Sequence, residues 1–197
     1  MTAMSHIARR IAGFLSFGKQ RGRIHSENKG RAMRNDDREY VPHSNGCFLC
    51  GDENEAGVKT RFFVEGNEVR AAVSIPRHMN GYKDVAHGGV LAALLDETMG
   101  WAATVFGKSH SMYVTAELTV RYIRPAPVAR EILVRSRLLR DLGRLAYCEG
   151  ELLFEDTVCV SAKATFAPLD REATAEVLPY LKFDDCKKYR NLFDDCR

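Results

Sequence analysis

The sequence has no long hydrophobic run and no large excess of one charge. No stretch reaches the ~18–20 apolar residues that cross a bilayer. The 29 Lys and Arg against 26 Asp and Glu leave a net charge of only +3. An apolar patch over residues 11–17 follows Arg9 and Arg10, but no A-x-A-like cleavage site follows it, which argues against a secretory signal. These absences predict a globular chain without stable membrane insertion.

The small net charge is unevenly spread along the chain. Residues 1–40 hold nine Lys and Arg against four Asp and Glu, so this segment carries about +5. It shows no sustained period, and we predict a flexible leader with a short amphipathic helix over residues 7–17. The first acid is Glu27, and an Arg-rich, acid-poor start is also typical of a mitochondrial transit peptide. We therefore expect a cytoplasmic protein, or a mitochondrial matrix protein if the leader is a transit peptide. No helix-turn-helix pattern is present, and we expect no nucleic-acid partner.

Cysteine is present, but in a pattern that specifies little. The even count of six would fit disulfides only in an oxidising compartment, and nothing indicates secretion. Cys148 and Cys159 lie in alternating apolar segments and are predicted core thiols. Cys47 and Cys50 could supply half of a zinc site, but no second C-x-x-C follows and His43 is the one nearby addition. We favour a structural loop and expect no metal or cofactor.

The hydrophobic pattern predicts two strands, one helix and four strands. Residues 89–106 are apolar around nearly the whole circumference, which is typical of a buried helix, here about 27 Å long. In residues 111–123, Val114 and Leu118 belong to an apolar face and Thr115 and Glu117 to the opposite, polar face. The predicted strands span 58–64, 68–75, 111–123, 131–139, 144–154 and 158–166. An antiparallel sheet wrapped around one long central helix, of the α+β class, satisfies this order. We expect one domain over residues 41–169, between the leader and a charged tail at 170–197.

Asp96 is the anomaly within the predicted buried helix. An ionised carboxylate in apolar surroundings is costly unless it is paired or solvated. Glu97 points about 100° away around the helix and is expected near its rim. Asp96 is therefore solvated at a cleft, paired, or held at a raised pKa, conditions common to catalytic acids and bases. A structural position at an edge of the domain explains it equally well on these grounds alone.

A glycine pair at the start of this helix favours a catalytic role for Asp96 over a structural one. In His87-Gly88-Gly89, the glycines let a substrate approach the backbone closely. The first N–H groups of a helix have no internal acceptor and carry the positive end of the dipole. Such a turn can polarise a carbonyl group and hold a developing oxyanion.

The segment His87-Gly-Gly-Val-Leu-Ala-Ala-Leu-Leu-Asp96-Glu-Thr-Met-Gly-Trp resembles the helix signature of hotdog-fold thioesterases of the phenylacetate-pathway type. The strand from Val114 to Pro125 and the segment from Ser161 to Pro168 are similar to later family strands. The resemblance covers roughly residues 45–168. It implies a single hotdog domain, an acyl-CoA substrate and hydrolysis to a free acid and CoA.

The resemblance also implies roles for individual residues. Asp96 would act as the general base or as the nucleophile, and the Gly88 N–H would polarise the thioester carbonyl. His87 would shape the turn or assist that polarisation, and Thr115 would help hold the attacking water. Asn80 is the nearest candidate for a polar residue that some members carry before the HGG turn. Because the family site lies between two chains, a homodimer or homotetramer is expected.

Thioester hydrolysis needs only a few catalytic groups. A thioester has a good leaving group, so one base and one oxyanion donor can suffice. No G-x-S-x-G elbow is present, which argues against an α/β-hydrolase. The alternative is a non-catalytic acyl-CoA-binding or regulatory hotdog module, which has no need of a buried acid. A hotdog dehydratase or hydratase would pair an acid and a His at a different spacing.

Overall fold

The computed structural model describes residues 38–186 and 188–194, so the predictions for most of the leader lie outside the described residues. Seven strands form one antiparallel sheet in the order β1-β3-β4-β8-β9-β10-β7. Its members are β1 (Glu39–Tyr40), β3 (Phe63–Glu65), β4 (Glu68–Ser74), β7 (Tyr113–Tyr122), β8 (Glu131–Asp141), β9 (Ala146–Phe154) and β10 (Thr157–Pro168). The short strands β2 (His43–Ser44) and β11 (Leu181–Lys182) pair with each other, as do β5 (Asn80–Tyr82) and β6 (Val85–Ala86).

The long helix α1, Gly88–Phe106, lies against this sheet, as predicted. Leu94, Leu95 and Met99 are fully buried in the core between helix and sheet. A Cβ at Gly150 on β9 would lie 3.2 Å from the Leu95 and Met99 side chains, so glycine allows this close approach. Ser136 on β8 also donates a hydrogen bond of 2.7 Å to the Thr98 carbonyl. The helix has the length and composition of a membrane span, but so does the core helix of a folded domain, and over half of it is buried.

The first predicted strand is much shorter than expected. Within residues 58–64, strand geometry begins only at Phe63. The N–H groups of Val58 and Thr60 instead bond the carbonyls of Phe48 and Leu49, at 2.9 and 2.8 Å. Lys59 between them has a positive φ of 57°, which a continuous strand does not allow. This segment is therefore held against the Cys47–Cys50 loop instead of a neighbouring strand.

Residues after the sheet fold back onto the same unit. Helix α2 spans Arg171–Val177. Its N-cap residue is Asp170, whose carboxylate accepts the Ala173 N–H at 2.8 Å. β11 then pairs with β2 near the start of the described chain. Phe193 is fully buried in the main core, which anchors the end of the described tail.

Candidate active site

Asp96 lies in the middle of α1, on the side of the helix nearest to β7. Its side chain is half-buried, and this burial raises the pKa of its carboxyl group, while a hydrogen bond from Thr115 opposes the shift. The Thr115 hydroxyl donates to Asp96 Oδ1 at 2.8 Å. The anomaly in the sequence thus corresponds to a partly desolvated carboxylate with one fixed hydroxyl partner.

A β-bulge brings Thr115 to this position. Glu117 pairs with Thr165 on β10, whereas Thr115 pairs with Phe166, so Ala116 has no partner. An inserted residue of this kind reverses the alternation of side chains along a strand. Thr115 therefore faces the helix together with Leu118, and the prediction that it shares a face with Glu117 is wrong. Strict period-two alternation cannot represent the extra residue.

The His87-Gly88-Gly89 turn forms the start of α1, as predicted. His87 is the N-cap residue, and its Nδ1 accepts the Gly89 N–H at 3.0 Å. The side chain of His87 therefore shapes the turn. Gly88 is the first helical residue, and its N–H has no acceptor inside the helix. Capping by His87 thus occupies one of the two glycine donors and leaves the other for a ligand.

Tyr122 was not singled out as a site residue, yet it holds the same turn. Its hydroxyl donates to the Gly88 carbonyl at 2.8 Å. A Cβ at position 88 would lie 3.3 Å from Cε1 of the Tyr122 ring, so a larger residue would force the ring or the turn to move. The sequence signal was only its place on the same strand face as Leu118, which implied a packing role.

Asn80 is close to the turn in the fold. On the small β5–β6 hairpin it pairs with Ala86, the residue before His87. The Met79 carbonyl also accepts the His87 N–H at 3.0 Å. Asn80 is exposed, so its amide is open to solvent beside the start of α1. The hairpin therefore accounts for the nearness of two residues that are seven positions apart in the chain.

The groups of the candidate site separate into two sets within one chain. Asp96 and Thr115 are in contact, and His87, Gly88 and Asn80 gather at the start of the helix. Asp96 lies eight positions after Gly88 along the helix, a rise of about 12 Å. One small group therefore cannot contact the Gly88 N–H and the Asp96 carboxylate of the same chain at the same time.

We expect Glu97 near the rim of the helix, but the structure places it elsewhere. It points into the Cys47–Cys50 loop, where Cys50 Sγ donates to Glu97 Oε1 at 3.2 Å. Cys47 Sγ lies 3.5 Å from Glu97 Oε2. Burial raises the pKa of Glu97 to about 7. The sequence could not show this contact, because 47 residues separate Cys50 from Glu97.

Three arginines, two on β8 and one just before it, are engaged with acids. Arg135 pairs with Glu151 at 2.7 Å, and Arg137 pairs with Glu149 at 2.6 Å. Arg130 pairs with Glu155 at 3.0 Å. These contacts join β8, or the residue before it, to β9 or to the turn after β9, as is typical of a solvated sheet face.

This architecture, a curved antiparallel sheet against one central helix with an acid and a glycine turn, is that of a hotdog domain. Residues 83–163 match the model of the family described as thioesterase superfamily. This match covers about two fifths of the chain, and over these residues the chain is similar to that family.

Individual relatives agree with this assignment. Mouse acyl-coenzyme A thioesterase THEM4 is 32% identical over 97 residues, which cover 48% of this chain and 40% of that protein. The crystal structure of the thioesterase superfamily protein RHA08564 has a TM-score of 0.58 and 30% identity, and covers 62% of this chain and 60% of that one. PaaI of E. coli, from the phenylacetic acid degradation operon, has a TM-score of 0.53 over 60% of this chain and 87% of its own, and at 14% identity shows the fold alone. This chain spans well under two thirds of the curated mouse relative.

Proposed function

We propose that the protein hydrolyses acyl-CoA thioesters to a free acid and CoA, with Asp96 as the general base. The observation that carries this proposal is the hydrogen bond of 2.8 Å between Thr115 and the half-buried Asp96 carboxylate. A water molecule needs a base and a second anchor to be held for attack, and these two side chains can supply both. The acyl-CoA substrate class is supported by the name of the mouse relative.

The proposed reaction uses one base and one oxyanion donor. Asp96 takes a proton from water as the water oxygen bonds to the thioester carbonyl carbon. Negative charge develops on the carbonyl oxygen, which accepts a hydrogen bond from the Gly88 N–H at the positive end of a helix. The C–S bond then breaks, and the sulfur leaves as the CoA thiolate, which takes up a proton. His87 keeps the turn in shape, and Asn80 supplies a polar group beside the carbonyl.

Burial gives Asp96 the strength for this task. A raised pKa makes the carboxylate a stronger base than an exposed aspartate, although the group must be ionised to act. Activity should therefore fall as the pH falls through the raised pKa of Asp96. If Asp96 were instead the nucleophile, it would form a mixed anhydride with the acyl group and expel CoA before water acts, so CoA release would run ahead of acid release in a single turnover.

Gly88 and Asp96 of one chain lie too far apart to act on the same carbonyl, so the proposed site is made by two chains. Because Gly88 lies about 12 Å along the helix from Asp96, we propose that each Asp96 works with Gly88 of the partner subunit. The edge strand β7 offers the surface for such a dimer. In the described part of the chain it pairs with β10 alone, and Val114 and Tyr122 on it are 46% and 45% exposed. A long, partly apolar edge strand is a template for pairing with another chain.

A thiol-release assay on the purified full chain tests the activity. Wild-type protein should release CoA from at least one member of a panel of short, medium, long and aryl acyl-CoAs. Asp96→Asn should lower kcat by a factor of hundreds or more while acyl-CoA binding is kept. Asp156→Asn, in an exposed turn with a left-handed backbone that Asn tolerates, is the matched control and should retain full activity. Binding without turnover by the wild type would instead support a non-catalytic acyl-CoA-binding module.

Mixed dimers test the shared site. Asp96→Asn and Gly88→Pro chains should each be inactive, the second because proline fits the first helical position but has no N–H to offer the carbonyl. After subunit exchange at equal concentration, half of the dimers are mixed and half of their sites hold both native groups. We therefore expect recovery of about one quarter of wild-type activity. No recovery in a mixture shown to contain mixed dimers would contradict a site built from two chains.

A further inference from the structure

The Cys47–Cys50 loop and Glu97 form a cluster that the proposed hydrolysis does not use. One Sγ atom from each cysteine and one carboxylate oxygen of Glu97 all lie within 4.8 Å of one another. Cys50 is buried, and Cys47 and Glu97 are half-buried. Two soft sulfur ligands and one oxygen converge on a common point from a loop and from the middle of α1. Such a set is suited to a thiophilic divalent cation.

We propose that Cys47, Cys50 and Glu97 bind a Zn²⁺ ion, with its fourth position open to water or to an outside ligand.

The distances between the ligand atoms fit tetrahedral zinc. With Zn–S of about 2.3 Å and Zn–O of about 2.0 Å, a tetrahedral angle separates sulfur from oxygen by about 3.5 Å. Cys50 Sγ lies 3.2 Å from Glu97 Oε1, and Cys47 Sγ lies 3.6 Å from the same oxygen. Both sulfur–oxygen distances are therefore within a few tenths of an ångström of the tetrahedral value, and the two sulfur atoms lie within 4.8 Å of each other.

The loop backbone already supplies a hydrogen-bond donor to one of the sulfur atoms. The Leu49 N–H donates to Cys47 Sγ at 3.3 Å. Such donors offset the negative charge that two thiolates and a carboxylate leave around a divalent ion.

A glycine keeps the loop in this tight form. A Cβ at Gly51 would lie 2.2 Å from the Asn45 carbonyl oxygen and 2.5 Å from that of Cys47. The Gly51 N–H also donates to the Cys47 carbonyl at 3.0 Å. The sequence Cys47-x-x-Cys50-Gly51 is therefore a closed turn that presents both sulfur atoms to the same side, towards Glu97.

Cysteine binds metal ions as the thiolate, so an incoming Zn²⁺ would displace the thiol protons into solvent. The ion would then join the loop at residues 47–50 to the centre of α1.

Metal analysis of the reduced full chain tests this proposal. Protein stripped with a chelator, reduced, loaded with excess Zn²⁺ and dialysed against metal-free buffer should retain about one zinc per chain. Cys47→Ser and Cys50→Ser should lose it, and Co²⁺ in place of Zn²⁺ should give thiolate-to-metal charge-transfer absorption in the wild type. Cys159→Ala removes a buried thiol outside the cluster and should retain the metal.

Glu97→Gln separates metal binding from folding. The amide has the shape of the carboxylate, so the chain should fold with unchanged circular dichroism, yet zinc affinity should fall at least tenfold. The cobalt charge-transfer bands should weaken and not vanish, because both thiolates remain. Reduced wild-type protein that retains no zinc or cobalt would overturn the proposal. So would equal retention by Cys47→Ser, or a Cys47–Cys50 pair that only forms a disulfide and never binds metal when reduced.

Discussion

Thr115→Val tests the hydrogen bond on which the proposed chemistry depends. Valine has nearly the shape of threonine but cannot donate to Asp96 Oδ1, which now accepts at 2.8 Å. A hydrogen bond to a charged group contributes about 1.5–3 kcal/mol. Because Thr115 is exposed and Asp96 is half-buried, the lower end of this range applies. Without the hydroxyl the attacking water loses one of its two anchors, and a loss of about 1.4 kcal/mol of transition-state stabilisation corresponds to about a tenfold fall in kcat.

The pH dependence of kcat gives a second test of the hydrogen bond between Thr115 and Asp96. The Thr115 hydroxyl lowers the pKa of Asp96 against the effect of burial. Its removal leaves burial unopposed, so the pKa rises and the ionised base is lost at a higher pH. The acid limb of kcat against pH in the thiol-release assay should therefore move to higher pH in Thr115→Val. Thr115→Ser keeps the hydroxyl and should follow the wild type. A shift to lower pH, or an unchanged profile with an unchanged rate, would refute the assignment of Asp96 and Thr115 as a working pair.

Two further expectations follow from the turn and from the core. Tyr122→Phe removes the donor to the Gly88 carbonyl, so kcat should fall severalfold while the acid limb stays where it is in the wild type. A shift of the acid limb in Tyr122→Phe would mean that the Tyr122 hydroxyl acts on Asp96 and not on the turn. Leu94→Ala deletes a fully buried side chain at the helix–sheet interface and should lower the free energy of unfolding in urea by about 2–5 kcal/mol. Leu142→Ala, 49% exposed in a turn, should change it by less than about 0.5 kcal/mol.

The central helix and the later strands were predictable from sequence, because their signals are local. An apolar helix of this length has to be buried, and α1 begins within one residue of its predicted start. The same locality explains Asp96 and Gly88: a charge among apolar residues and a glycine pair at a helix start stand out within a few positions. The short first strand was missed because its backbone bonds with the Cys47–Cys50 loop, a partner that no periodicity can show.

The tertiary structure decided which of these residues meet. The unpaired Ala116 turns Thr115 towards Asp96, and a bulge depends on the register with β10, which the alternation of residues does not encode. Glu97 meets Cys47 and Cys50 because a distant loop folds over the helix. The sequence alone thus determined the buried helix, its single anomalous acid and its glycine turn. Contacts between residues far apart in the chain arise from packing and strand register, and only the fold could determine them.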